Sequence, residues 1–383
     1  MNHIQKTGAS IFEHFSSLTD PRLDRTKRHK LLDIVGLSIC GVICGADGWT
    51  EIEEFGHAKQ DWLQKFLELP NGIPSHDTIG RIFARVLPGQ FQRSFQRWIQ
   101  SISTLTEGQV IAIDGKTLRR SYDRASDKAA IHMVSAWARE NHLILGQVKT
   151  REKSNEITAI PELLDILAIK GCIVTIDAMG CQTEIAAQIV EQGADYVLAL
   201  KGNHGTVHEK VVTFFDQLEE QEPQTLVQDD DISGHETVDG DHGRIEIRRY
   251  RQVSDLQWFE ERSQWKGLQS VGMVEAERYI GEKISVERRY YLSSLALNVE
   301  QFAEAVRGHW GIENTVHWSL DVSFREDDSR IRAGHAPENF AVLRHIALNL
   351  LKQDTRCKRG IKTKRLKAGW DNDYLAHLLF SGG

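Results

Sequence analysis

The chain has little cysteine: five among 383 residues (Cys40, Cys44, Cys172, Cys181, Cys357), with no C-x-x-C pair. An odd, unpatterned set argues against a disulfide framework or a zinc ribbon and fits a reducing, cytoplasmic setting. No apolar core occupies Met1 to Phe15, so no secretory signal is read there. Long hydrophobic runs are missing too. The most apolar stretch, Leu31 to Ala46, carries Asp33 and is too short to span a bilayer, so it reads as a buried helix. The zinc-protease spacing H-E-x-x-H is absent, as are internal repeats and low-complexity segments. What remains is the composition of an ordinary globular protein, 40% hydrophobic and 26% charged, long enough for two or three structural units.

Lysine and arginine are absent from residues 216–241, which hold ten acids, so the rest of a chain of net charge -7 is net +3. Residues 352–367 hold eight bases against Asp354 alone. Arg22, Arg25, Lys27, Arg28 and Lys30 form a second basic cluster. Each cluster reads either as a footprint for a polyanion or as a solvated surface.

Residues 1–106 read as an all-helical domain. Its Ser75-capped helix bears Thr78, Arg81 and Arg85, and with the helix that follows it is either a DNA-reading helix-turn-helix or part of a plain bundle. From residue 107 the period changes. Strands are expected at 109–114, 131–137 and 143–148, then a helix from about Ile160 with Pro161 in its first turn. A strand at 172–177, a helix at 183–192, a strand at 195–200 and a further helix follow. The order β-β-β-α-β-α-β-α predicts an α/β fold, a mixed sheet covered by helices. Residues 205–295 read as a β-rich insertion with an acidic loop and strands near 244–250, 270–275 and 284–292. Residues 296–352 return to the core through a helix over 299–321, a strand-like Val322–Phe324 and a long helix. Residues 353–383 read as a basic tail.

The stretch Gln109-Val-Ile-Ala-Ile-Asp-Gly-Lys-Thr-Leu118 carries the chemistry. A carboxylate at the mouth of a buried strand is costly unless something pairs with it. Asp114 ends one apolar strand and Asp177 another. If those strands are neighbours, the two acids face each other across one crevice, where open sheets bind ligands. Glu313 supplies a third acid from a helix; Asp321, Glu326 and Asp328 are its rivals. Three hard oxygen donors select Mg²⁺ or Mn²⁺ over zinc, and two such ions would suit in-line displacement at phosphorus. Lys116, Arg119 and Lys201 would then hold backbone phosphates. His309, Glu313 and His317, four apart on one helical face, are a weaker zinc alternative.

Several motifs stand together: Ala112-Ile-Asp-Gly-Lys-Thr-Leu-Arg119, Glu152-Lys-Ser-Asn-Glu-Ile-Thr-Ala-Ile-Pro-Glu-Leu-Leu164, Thr175-Ile-Asp-Ala-Met-Gly-Cys-Gln182, Ala199-Leu-Lys-Gly-Asn203 and His309-Trp-Gly-Ile-Glu-Asn-Thr-Val-His-Trp318. In these, and in Gly72-Ile-Pro-Ser-His-Asp-Thr78, the chain resembles insertion-sequence DDE transposases of the H-repeat-associated group along nearly its whole length. The resemblance implies a ribonuclease-H-like core and an Asp-Asp-Glu triad at Asp114, Asp177 and Glu313, both catalytic and metal-binding, with Mg²⁺ or Mn²⁺, two ions, as cofactor. It implies double-stranded DNA as partner, at element ends and target, with at least a homodimer in the complex. The expected DNA contacts are Lys116, Arg119, Arg120, Lys201, Asn203, His309, Trp310 and Arg330. Relatives carry Tyr-x-x-Arg-x-x-x-Glu-x6-Lys around the third acid; here Val306, His309 and Leu320 stand at the Tyr, Arg and Lys positions. An insertion tryptophan, Trp258 or Trp265, would either stack on a base or pack in the insertion's own core.

Overall fold

A computed structural model describes residues 11–122, 129–150, 156–221, 230–241 and 244–380. The part of the second motif from Glu152 to Asn155 lies outside the described residues. The strands are β1 (Val110–Leu118), β2 (Ile131–Ala138), β3 (Leu143–Lys149), β4 (Ile173–Ile176), β5 (Asp195–Leu200), β6 (Ile232–Asp241), β7 (Arg244–Val253), β8 (Ser270–Ile280) and β9 (Lys283–Ser293). They form one mixed sheet in the order β3-β2-β1-β4-β5-β9-β8-β7-β6. β1, β2 and β3 are antiparallel neighbours, while β4 and β5 run parallel to β1. β9 then pairs antiparallel with β5, and β9 to β6 form a meander. The strands read as an insertion therefore extend the core sheet.

β6 falls inside the block read as an acidic loop. Its carboxylates are neutralised across the sheet: Arg248 lies 2.5 Å from Asp239 and Arg249 2.9 Å from Glu236. Glu219 of α8 (Thr206–Gln221) is matched by Arg288 at 2.5 Å and Arg251 at 3.7 Å. Acids segregated along the sequence are thus interleaved with arginines in space.

Helices α1 (Ile11–Phe15), α2 (Leu31–Ile43), α3 (Trp49–Leu63), α4 (His76–Phe83) and α5 (Pro88–Ile102) precede the sheet. α2 is buried on nearly every side, as its apolar composition demands. Its one carboxylate, Asp33, accepts the backbone amides of Glu68 and Leu69 at 3.1 and 2.9 Å, which is why a charge is tolerated there. α4 buries Ile79, Ile82 and Phe83, and Gly80 lets the Trp49 indole approach closely. Arg81 donates back to the Asp77 carbonyl, and Arg85 lies beyond the helix end.

α6 (Glu156–Leu164) and α7 (Thr183–Glu191) cross over between parallel strands. α6 starts earlier than expected, at Glu156, so Pro161 sits inside it. α9 (Val299–Gly311) and α10 (Trp318–Phe324) are joined by a π-helical segment, Ile312–His317. Val322–Phe324, expected as strand, completes α10. α11 (Ala336–Gln353) packs against α2, α5 and β3 and ties helices to sheet. Its Asn349 closes both backbone groups of Ile144 at 2.9 and 3.0 Å, and its Asn339 donates to the carbonyls of Phe83 and Val86.

Residues 353–380 are not an extended basic tail. They form α12 (Ile361–Trp370) and α13 (Asn372–Phe380). Lys364 and Arg365 are buried: Lys364 donates to the carbonyls of Leu351 and Asp354, and Arg365 binds the Val42 carbonyl and Asp47. Charge counting saw two cations here as surface; they are helix-to-helix fasteners.

Candidate active site

β1 runs on past Asp114 because β2 continues to pair with it, as far as Leu118 with Ile131. On the other side β4 stops at Ile176, opposite Ile113. The next residues, Asp114 and Asp177, therefore leave the end of a parallel pairing side by side. Asp177 turns into a short 3-10 segment, Ala178–Gly180, accepting the Met179 amide at 3.0 Å. The cost of such acids at strand ends is visible. Burial raises Asp114 to about 7, and the charges of Asp177, Glu313 and Glu156 add to the rise. Asp177 is raised as well, by burial first and then by Glu156, against which its backbone hydrogen bonds and Lys201 act.

Glu313 comes from the π-helical segment, and it lines the same cavity of about 150 Å³ as Asp114 and Asp177. The rivals are committed elsewhere. Asp321 and Glu326 hold Lys116 at 2.5 and 2.8 Å, and Asp328 lies 3.3 Å from Arg120. The wider π turn alters the face that α-helical spacing assigns to His309, Glu313 and His317. His309 Nδ1 is 3.2 Å from the Thr175 hydroxyl, and His317 Nδ1 is 3.5 Å from Asp114. Burial pushes both imidazoles down to about 4, so both are neutral at physiological pH.

The donor chemistry suits a hard divalent cation. Carboxylates crowded until one of them titrates near neutrality are relieved when a cation joins them. As placed, no group of three or more His, Cys, Asp or Glu side chains among the described residues converges closely enough to hold an ion at once. The zinc alternative gains nothing from the two neutral histidines, which face different partners.

The expected DNA contacts divide into four groups. Lys116 is taken by Asp321 and Glu326 and is not available to phosphate. Asn203 is also engaged: its amide donates to the Ala178 carbonyl at 2.8 Å and pins the turn that follows Asp177. Arg119 and Arg120 pair with Asp327 and Asp328 at 3.2 and 3.3 Å, with Arg119 largely in solvent. Lys201, His309 and Trp310 line the triad cavity. Arg330 is exposed, past the turn Glu326–Asp328. Trp265 is buried, and Trp258 stacks on Phe214 at 4.1 Å, so both rings pack within the protein.

Motif reading passed over Glu156 and Arg289. Glu156 opens α6, 2.8 Å from His132 Nε2, and its carboxyl lies where a side chain on Gly115 would be. Its place at the helix start was hidden by expecting the helix at Ile160. Arg289 lines the triad cavity from β9. Its signal, alternation along 284–292, gave the strand but not the partner across the crevice.

Residues 105–350 match the transposase DDE domain and residues 12–99 the associated DDE_Tnp_1-associated domain, and the chain belongs to the transposase DDE domain family. Within it, the relatives are of the H-repeat kind. The chain is 43% identical to the Escherichia coli K12 protein named "H repeat-associated putative transposase YhhI", over 97% of this chain and 98% of that one. It is 43% identical to "Putative transposase YncI" of Escherichia coli O157:H7, over 97% and 95%. A solved piggyBac transposase synaptic complex with hairpin DNA is 11% identical with a TM-score of 0.41, covering 97% of this chain and 76% of that one. No helix among the described residues is long and apolar enough to cross a membrane, and the five cysteines are free.

Proposed function

We propose that the chain is a divalent-metal-dependent DNA transposase that cuts one strand at each end of an insertion sequence and joins the freed 3′-hydroxyl to target DNA. The observation that carries this reading is the shared cavity of Asp114, Asp177 and Glu313, two neighbouring strand ends and a helix 136 residues after the second acid. The strand order 3-2-1-4-5 of the core supports a ribonuclease-H-like fold. Asp114, Asp177 and Glu313 would hold Mg²⁺ or Mn²⁺, which when bound stabilises charge on the phosphoryl oxygens and activates the attacking hydroxyl.

In the first step water displaces the bridging 3′ oxygen of a phosphodiester, leaving a 5′-phosphate and a 3′-hydroxyl. In the second that hydroxyl displaces a 3′ oxygen in the target, so one phosphodiester forms for each one broken. The chain's own part is to crowd carboxylates at one spot and to keep Asp114 oriented against neutral His317. The helical unit before residue 107 and the sheet extension beyond β5 would grip the DNA. Pairing of two element ends calls for at least two copies.

The test uses full-length protein and duplexes made from the DNA flanking this reading frame, with Mg²⁺ or Mn²⁺. Parent protein is expected to cut and join them. Asp114→Asn is expected to lose both reactions and to bind DNA nearly as before; full cutting by that variant would sink the reading. If precut ends are never joined, the chain is a nuclease without strand transfer.

A further inference from the structure

The triad cavity has a cationic wall supplied by the sheet extension. Arg289 stands on β9 opposite Val274, two residues from Tyr291, which pairs with Ala199 of β5. Strand alternation puts Arg289 and Tyr291 on one face, the side lined by Val306 and Trp310 of α9. A second cavity of about 80 Å³ adjoins the first. It is bordered by Arg248, Arg278 and Arg307 together with Glu246 and Glu287, and the two share Arg289, Tyr291, Val306 and Trp310 as a common wall.

The Arg289 guanidinium is held in place there. It lies 4.1 Å over the Trp310 ring, and Nε and Nη2 both reach Glu287 at 2.8 Å. A guanidinium has five N–H donors, and these contacts leave some unspent. Glu287 is nearly half exposed, so solvent weakens its hold on that charge. Other cations are less suited. Lys116 is committed to two acids. The position where relatives carry arginine holds His309, neutral and bonded to Thr175. Lys201 remains, but as a point charge without a fork.

We propose that Arg289 positions the DNA backbone in this site: the cut strand passes from the triad cavity over Trp310 toward the second cavity, and Arg289 holds the phosphate at the crossing. A planar fork fixed against an aromatic ring binds a phosphate at little conformational cost, and it offsets the repulsion between that phosphate and three carboxylates. This rests on the transposase reading, and the test separates the two.

Binding is measured by fluorescence anisotropy over a salt series, in an Asp114→Asn background and with the flanking-DNA duplexes. Arg289→Gln, which removes the charge and the fork, is expected to weaken binding about 10-fold and to reduce the slope of log K against log salt by about 1. Arg289→Lys should keep the slope. In the otherwise unaltered protein it should cut about 10-fold or more slowly, since the charge survives and the fork does not. Unchanged affinity and slope in Arg289→Gln, or a lowered melting temperature as its sole effect, overturns the proposal. Arg289→Ala gives a second reading of the same slope. If Asp114→Asn itself cuts DNA, the transposase reading fails; if it is inert and Arg289→Gln binds like the parent, only this inference fails.

Discussion

Two clusters of acids lie a few residues apart and behave in opposite ways. Around Glu326 the cations are built in: Lys116 at 2.8 Å and Arg344 at 3.4 Å, all three nearly buried. Burial alone would raise Glu326, but Lys116 and Arg344 overcome it and hold the carboxyl below its ordinary value. Around Asp114 no Lys or Arg among the described residues does the same, and burial with neighbouring acids drives it up to about 7. Lys116 and Asp114 share one strand and, two residues apart, one face. The difference is that the first cluster carries its own cations, while the second, among the described residues, does not.

Breaking the first cluster should cost most. Glu326→Gln leaves Arg344 buried beside a neutral amide, and a loss of about 3–5 kcal/mol in urea unfolding is expected, with or without Mg²⁺. An unchanged midpoint would mean the network carries no stability.

Asp114→Asn should act the other way. The folded pKa lies above the unfolded value of 3.8, so between about pH 4 and 7 the folded chain binds more protons than the unfolded one. Metal-free stability therefore falls as pH rises through that window, by at most about 1.4 kcal/mol for each pH unit crossed. The variant should lack this fall and melt higher than the parent at pH 8. Mg²⁺ should raise the parent's melting temperature at pH 8 more than at pH 5, and leave the variant where it is. Parallel melting curves for the two proteins across pH would contradict the contrast.

The smallest effect belongs to Glu156. Its charge is the last-ranked of those raising Asp114, behind Asp177 and Glu313. Glu156→Gln should move the midpoint of that pH dependence downward, by less than Asp177→Asn does, in the same melting series.

Much of the core was legible because strands and crossover helices announce themselves locally. Apolar β-branched runs gave β1, β4 and β5, and the acids at their ends were visible as polar punctuation. What failed were readings that treated charge as a property of a segment. The acidic block became β6, since its partners are arginines of β7. The basic tail became α12 and α13, since Arg365 finds the Val42 carbonyl and Asp47. Lys116 was expected to meet phosphate because it sits beside Asp114, and Asn203 because of the resemblance. Lys116 is engaged by Asp321 and Glu326 and Asn203 donates to the Ala178 carbonyl, none of which is near in sequence. Spacing alone left Asp321, Glu326 and Asp328 as rivals to Glu313, which the resemblance singled out; the pairing of those three supports that choice.

The sequence by itself determined which residues are costly to bury and how each strand and helix is patterned, because those are local consequences of side-chain chemistry and backbone period. Only the tertiary structure decided which costs are met within the chain. Pairing depends on distance in space, and the partners of Lys116 and Arg365 come from elements that the order of residues does not bring together.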